Sequence, residues 1–187
     1  MKIAMVRTSL HKGSGQVTHI KELSKKLMEK GHEVTVFMRD SEVDLQPVST
    51  FPIKGPLGST PFIRHFTFTA ALAKAVDEEY DLIHTQYHPE VIAGSHIRTL
   101  KKIPHVFTYH GFAPVSVWKS PRQMLKMIDH RVGTFFSLRS GVDHIITVSN
   151  FLRRELEEKY MVRPNKIHVI YNGVDLKRFN QIGRAHV

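Results

Sequence analysis

The first forty residues restrict the fold more than any other stretch of the chain. An apolar run, Ile3-Ala4-Met5-Val6, leads into His11-Lys12-Gly13-Ser14-Gly15-Gln16, and apolar residues then recur at Val17, Ile20, Leu23, Leu27 and Met28 before Gly31. That spacing marks one face of a helix of about three to four turns, ended by a glycine. Val34-Thr35-Val36-Phe37 follows at once and has the branched and aromatic content of a strand. Strand, glycine loop, helix, strand is a βαβ unit, whose parallel strands demand a covering helix and a right-handed crossover.

The chemistry of that unit lies in its loop. At the carboxyl end of a buried parallel strand, a glycine-rich turn lets backbone N–H groups approach an anion, and the next helix's N-terminus adds a partial positive charge. Gly13, Ser14, Gly15 and Gln16 are therefore candidates for holding a phosphate or diphosphate. The pattern is not a full dinucleotide fingerprint, because Thr18 stands where its last glycine belongs, and no Gly-Lys-Ser/Thr of a P-loop follows. A plain tight turn is the competing reading.

Beyond Asp40, Pro47, Pro52, Pro56 and Pro61 with Gly55 and Gly58 break up regular structure. A short strand is expected over 48–53 and a loop over 55–60, of a length that often carries function. The pattern then predicts a helix over 66–80, a strand over 81–86, a helix over 90–102, a strand with its turn over 105–111 and a helix over 120–140. The methionines and aromatics of that last helix, among them Met124, Met127, Ile128, Val132, Phe135, Phe136 and Leu138, read as core. A strand over 143–148, a helix from Ser149 or Asn150 to about 160, and a strand over 166–171 complete the alternation. The expected architecture is α/β, a doubly wound, mostly parallel, Rossmann-like sheet that binds ligands at the carboxyl ends of its strands.

At 187 residues the chain suffices for one well-buried domain. With no cysteine it has neither disulfides nor thiolate metal sites. No apolar run reaches the length of a membrane span and the basic N-terminus enters a strand pattern directly, so a cytoplasmic location is expected, with peripheral contact at the inner membrane face as an option. The formal charge of +10 is spread over many segments without a nucleic-acid motif. Nucleic acid is not an expected partner; an anionic substrate or lipid surface suits the charge better. His84 and His88 have the spacing of a helical zinc pair, but His84 lies in a strand pattern and Pro89 follows His88, so no metal is expected.

Six short motifs line up at strand ends: 15–23, Gly31-His32-Glu33-Val34, Asp81-Leu82-Ile83-His84, Thr108-Tyr109-His110-Gly111, Ile146-Thr147-Val148-Ser149, and Ile170-Tyr171-Asn172-Gly173-Val174-Asp175. In order and interval they resemble the N-terminal domain of the family 4 glycosyltransferases of GT-B fold, over nearly all of residues 1–180. The resemblance implies one half of a two-domain retaining enzyme that moves a sugar from a nucleotide diphosphate sugar to a glycan, lipid-linked or small polar acceptor, with no cofactor and no bound metal.

Residue by residue, it implies that Gly15 brings its N–H to the donor diphosphate. Ser14 departs from the family's usual glycine, and Gly13 upstream supplies backbone freedom instead. His110 matches the histidine that touches the transferred sugar and is the candidate catalytic-centre residue, holding sugar hydroxyls or a backbone carbonyl rather than moving a proton, with a histidine that caps the strand end as the second reading. His19, Gln86, His88 and Ser149 are acceptor-side candidates, with helix capping as the second reading of Ser149. Residues 1–171 would form the acceptor-side domain and 172–181 the start of the crossover. The family's diphosphate-neutralising Arg and Lys and its paired glutamates belong to a C-terminal half outside this sequence, so the fragment alone is expected to be inactive. Residues 182–187 read as a translated adapter and are expected to be non-native. Two other readings compete: a stand-alone Rossmann-type binding module without catalysis, and a related sugar-nucleotide epimerase.

Overall fold

The computed structural model describes residues 1–54, 61–111 and 120–173. The expected loop at 55–60, Val174 and Asp175, and the tail at 182–187 lie outside them. Nine strands and five α-helices are present among the described residues: β1 Lys2–Val6, β2 Ser9–Leu10, α1 Gly15–Glu29, β3 Glu33–Met38, β4 Asp40–Ser41, β5 Ser49–Pro52, α2 Pro61–Ala75, β6 Leu82–Thr85, α3 His88–Lys101, β7 His105–Tyr109, α4 Pro121–Ser140, β8 His144–Thr147, α5 Asn150–Tyr160 and β9 Ile167–Val169.

Seven strands form one sheet in the order β5-β3-β1-β6-β7-β8-β9, and every pair in it is parallel. From β1 the chain winds outward to β3 and β5, then returns to lay β6 on the other side of β1. The direction of winding reverses between β1 and β6, and at such a point the loops part to leave a crevice.

Side-chain alternation along β1 divides the core. Ile3 and Met5 pack with Val17 and Ile20 of α1 and with Val34 and Val36 of β3. Ala4 and Val6 face the opposite way, against Leu72 of α2 and Ala93 and Ile97 of α3. A further layer joins Phe107, Tyr109 and Ile145 to Leu138 of α4 and Leu156 and Tyr160 of α5. Both faces of a parallel sheet need such cover because its strands are apolar on both sides.

The structure revises several boundaries. α2 starts at Pro61 rather than 66, since proline is tolerated in a first helical turn. It ends at Ala75 rather than 80, where the Asp77 carboxylate accepts from the Glu79 N–H at 3.2 Å and draws the chain into a turn. β9 is shorter than expected because Pro164–Lys166 forms a 3-10 turn ahead of it. A two-stranded parallel pair, β2 with β4, was not foreseen. In α4, Met127 and Leu138 are buried, but Met124, Ile128, Val132 and Phe136 are exposed, correcting their reading as core. Their spacing of four puts them on one stripe, turned away from the face that meets the sheet.

Candidate active site

The crevice beside β1 and β6 gathers polar residues from four elements. β1 runs out into Arg7 and Thr8, β6 into Gln86 and Tyr87, and β7 into His110 and Gly111, while α1 begins with Gly15, Gln16 and His19. All stand at the carboxyl edge of the sheet.

At the glycine loop, Gly13 has φ +81°, a conformation that glycine enters without steric cost. Chain neighbours and the helix's own backbone aside, no atom of the described residues lies within 4 Å of where a Cβ would sit on Gly13 or Gly15. Ser14 is the N-cap of α1 in extended backbone, and its hydroxyl makes no capping bond. A helix N-terminus behind a left-handed glycine is the arrangement that anion sites in general use.

A relay of hydrogen bonds crosses the floor. The buried His84 ring meets Thr108 Oγ1 at 2.8 Å and Gln86 Nε2 at 3.1 Å through the same nitrogen, Nε2. The Gln86 Oε1 in turn lies 3.1 Å from His110 Nε2. With the Gln86 amide as placed, Thr108 and Gln86 share the single lone pair of a bare His84 Nε2, and His110 donates its Nε2–H to the Gln86 oxygen. His110 is thereby held in the tautomer that leaves Nδ1 bare.

Burial lowers the pKa of His84 to about 3 and that of His110 to about 4, with the neighbouring histidines adding repulsion, so both rings are neutral at physiological pH. The His19 ring stands edge-on to His110 with centroids 5.2 Å apart. Burial lowers its pKa too, opposed by a hydrogen bond with Asn172. His19 Nε2 is buried and has no partner among the described residues.

Beneath the loop, the fully buried Glu90 carboxylate collects Arg7, Thr8 N–H and the Thr8 hydroxyl on its Oε1, with Arg7 Nη1 at 3.2 Å. Arg7 Nη2 donates to Gln16 Oε1 at 2.9 Å, and its guanidinium lies 4.5 Å from the centroid of the Tyr87 ring. This bracket ties the end of β1, the first turn of α1 and the first turn of α3 together. Arg7, Thr8, Tyr87 and Glu90 border the candidate site and were not singled out by the sequence pattern. The available signal was a cation directly after an apolar strand, facing an acid in the first turn of a later helix.

Of the candidates, Gln16, His19, Gln86 and His110 come together around the crevice, next to Gly13, Ser14 and Gly15. Ser149 sits apart at the end of β8, where its Oγ accepts from Leu152 N–H at 3.2 Å and caps α5. It is still near, since a Cβ on Gly111 (φ +86°) would lie 2.9 Å from Leu152 Cδ2. His88 opens α3, and its side chain lies outside the described part. No group of three or more metal-ligating side chains occurs among the described residues.

Residues 13–178 match the family model described as Glycosyltransferase Family 4. The chain belongs to Glycosyltransferase Family 4. A similar curated relative, the mannosylfructose-phosphate synthase of Agrobacterium fabrum, is 27% identical over 91% of this chain and 43% of its own length. Two solved structures resemble the fold. The sucrose-phosphate synthase of Thermosynechococcus elongatus aligns with TM-score 0.71 and 19% identity, covering 94% of this chain and 49% of that one. Anabaena HepE, solved in complex with UDP and glucose, aligns with TM-score 0.70 and 18% identity over 95% and 46%. This family 4 chain thus spans about half the length of these proteins, and its sheet corresponds to one half of a GT-B structure.

Proposed function

We propose that this chain supplies the acceptor side and part of the diphosphate site of a glycosyltransferase that moves a sugar from a nucleotide diphosphate sugar to a glycan, lipid-linked or small polar acceptor with retention of configuration. The observation that carries this reading is the neutral His110, its Nδ1 bare, across the winding reversal from the glycine loop. Backbone N–H groups at Gly15 and the α1 dipole receive the diphosphate; His110 accepts from a sugar hydroxyl and orients the ring. Charge stabilisation of the leaving diphosphate needs cations beyond the Arg7 guanidinium, which Glu90 already neutralises. The reading therefore assigns binding and orientation to this half.

Because HepE was solved with UDP and glucose, UDP-glucose is the first donor to try. Titrating it into the isotopically labelled chain should shift amide resonances of residues 13–19 and the His110 ring, saturably and at millimolar concentration. Shifts confined to other surfaces, or none with UDP-, GDP- or ADP-sugars, would sink the assignment.

The exposed stripe on α4 favours a lipid-linked acceptor in particular. Met124, Ile128, Val132 and Phe136 on a chain of charge +10 have the composition of a helix that lies on an anionic membrane. No helix among the described residues is long and apolar enough to cross one. Flotation with phosphatidylglycerol vesicles should carry the chain upward, and Ile128→Glu with Phe136→Glu should leave it in the dense fraction. Equal flotation of both proteins would remove this preference.

A further inference from the structure

The α1 face of the sheet is covered only in part. Ile3 and Met5 point toward α1, and parallel register carries that face across the sheet: Met5 pairs His84, His84 pairs Val106, Val106 pairs His144, Thr108 pairs Ile146, and Ile146 pairs His168. The apolar layer under α1 reaches no farther than Leu82 of β6. On β8 and β9 the same face is an open groove of about 730 Å³, lined by Val106, His144, Ile146, Asn150, Arg153 and His168 among others.

His144 and His168 are both exposed in it. They stand on neighbouring strands, offset diagonally, and His144 Nδ1 faces His168 Nε2 at 3.1 Å with ring centroids 5.1 Å apart. We propose that this pair is a binding site for a divalent first-row transition metal of the nickel or copper type, outside the transfer site.

The spacing of the two nitrogens carries the argument. An ion bonded at about 2.1 Å to nitrogens 3.1 Å apart holds them at an angle of about 95°. That is the angle between adjacent positions of a square-planar or octahedral ion. A tetrahedral zinc ion needs the nitrogens about 0.3 Å farther apart. Imidazole suits nickel and copper, which also stand high in the affinity order of divalent ions. The remaining coordination positions open onto the groove, where water fills them.

The cation nearest in the lining, Arg153, is neutralised by Glu157, whose Oε1 accepts from Arg153 Nε at 2.8 Å. Binding needs no net loss of protons from a neutral pair. The ring that donates in the His144–His168 bond moves its proton to its other nitrogen, and both facing nitrogens then present lone pairs. The ion sits to one side of the line between the two nitrogens, replaces their hydrogen bond, and clips β9, at the edge of the sheet, to β8. Anything that binds the folded state alone raises its stability by mass action.

Titration of the metal-stripped chain with nickel chloride, followed by calorimetry and by thermal unfolding, tests this. We expect one dominant site and a rise in melting temperature with nickel. His144→Ala and His168→Ala should each weaken binding by on the order of tenfold or more and abolish the rise, while His96→Ala, an exposed histidine on α3, should bind as the parent does. His144→Gln keeps a polar side chain in the groove and serves if the alanine variants fold poorly. Binding unchanged in His144→Gln and His168→Ala, or lost equally in His96→Ala, overturns the proposal, as does a parent chain that takes up no nickel.

Discussion

Gln86 is the residue on which the crevice turns, because a single amide serves two histidines with opposite demands. Its N–H group donates to His84 and its oxygen accepts from His110, so its orientation dictates which nitrogen of His110 is bare. Gln86→Leu removes both functions while keeping similar volume. His110 then loses its acceptor while His84 keeps its bond with Thr108, at a cost of about 1 kcal/mol in stability. Long-range proton–nitrogen NMR should find the Nε2–H tautomer of His110 in the parent and a mixture in Gln86→Leu. Gln86→Glu is the sharper variant. A carboxylate oxygen placed where the Gln86 oxygen stands, 3.1 Å from His110 Nε2, favours the imidazolium, so the ring's pKa should rise from about 4. An unmoved His110 titration in Gln86→Glu would mean that the two side chains are not coupled.

Packing between elements sets the crevice walls, and α3 lies close against the sheet at Gly94. A Cβ there would fall 2.5 Å from His105 Nε2 and 2.9 Å from Thr85 Cγ2. Neither neighbour can yield cheaply: His105 Nε2 bonds Thr85 Oγ1 at 2.7 Å and its Nδ1 faces the Gly141 carbonyl at 2.7 Å. Gly94→Ala should therefore push α3 outward and destabilise by about 1–3 kcal/mol, read from urea midpoints, despite alanine's better helix propensity. A neutral or stabilising effect would show that α3 slides freely over β6 and β7. How legible these elements were depended on the kind of signal. Period and punctuation located α1, β3, β7 and α5, with Ser149 as the cap of the last, since those depend on neighbours in sequence. The Arg7–Glu90 bracket joins residues 83 apart, and the His84–Gln86–His110 relay joins two strands, so no local pattern announces either. The exposed stripe on α4 misled for a related reason: an amphipathic period says that one face is apolar, not which layer that face meets.

The whole molecule carries a pH dependence that follows from histidines buried without charge. In the folded chain, burial lowers His84 to about 3 and His105 to about 4, against an ordinary value near 6.5. Their folded pKa values lie below the unfolded ones, so the unfolded chain takes up protons first as the pH falls. The stability they confer is complete above pH about 6.5 and is lost progressively from there down to pH about 4 for His105 and about 3 for His84, at up to about 2.7 kcal/mol per pH unit while both are titrating. His110, also lowered to about 4 but partly open to solvent, adds a smaller, screened share in the same window. Asp143 acts at lower pH: its bond with Arg98 holds its carboxyl below the usual range, and that contribution disappears only once the carboxyl itself is protonated. With a total stability of about 5–15 kcal/mol for a chain of this kind, the histidines alone bring the fold near its limit between about pH 4 and 5. Melting temperatures followed by circular dichroism should be level from pH 8 to 6.5 and fall steeply below. His105→Gln removes one titrating ring, and its melting temperature, lower at neutral pH, should fall less steeply toward pH 4.5 than that of the parent. A melting temperature independent of pH between 6.5 and 4.5, or a variant slope equal to the parent's, would mean that the buried rings accept protons without unfolding. The neutral relay beneath the crevice would then not persist in acid.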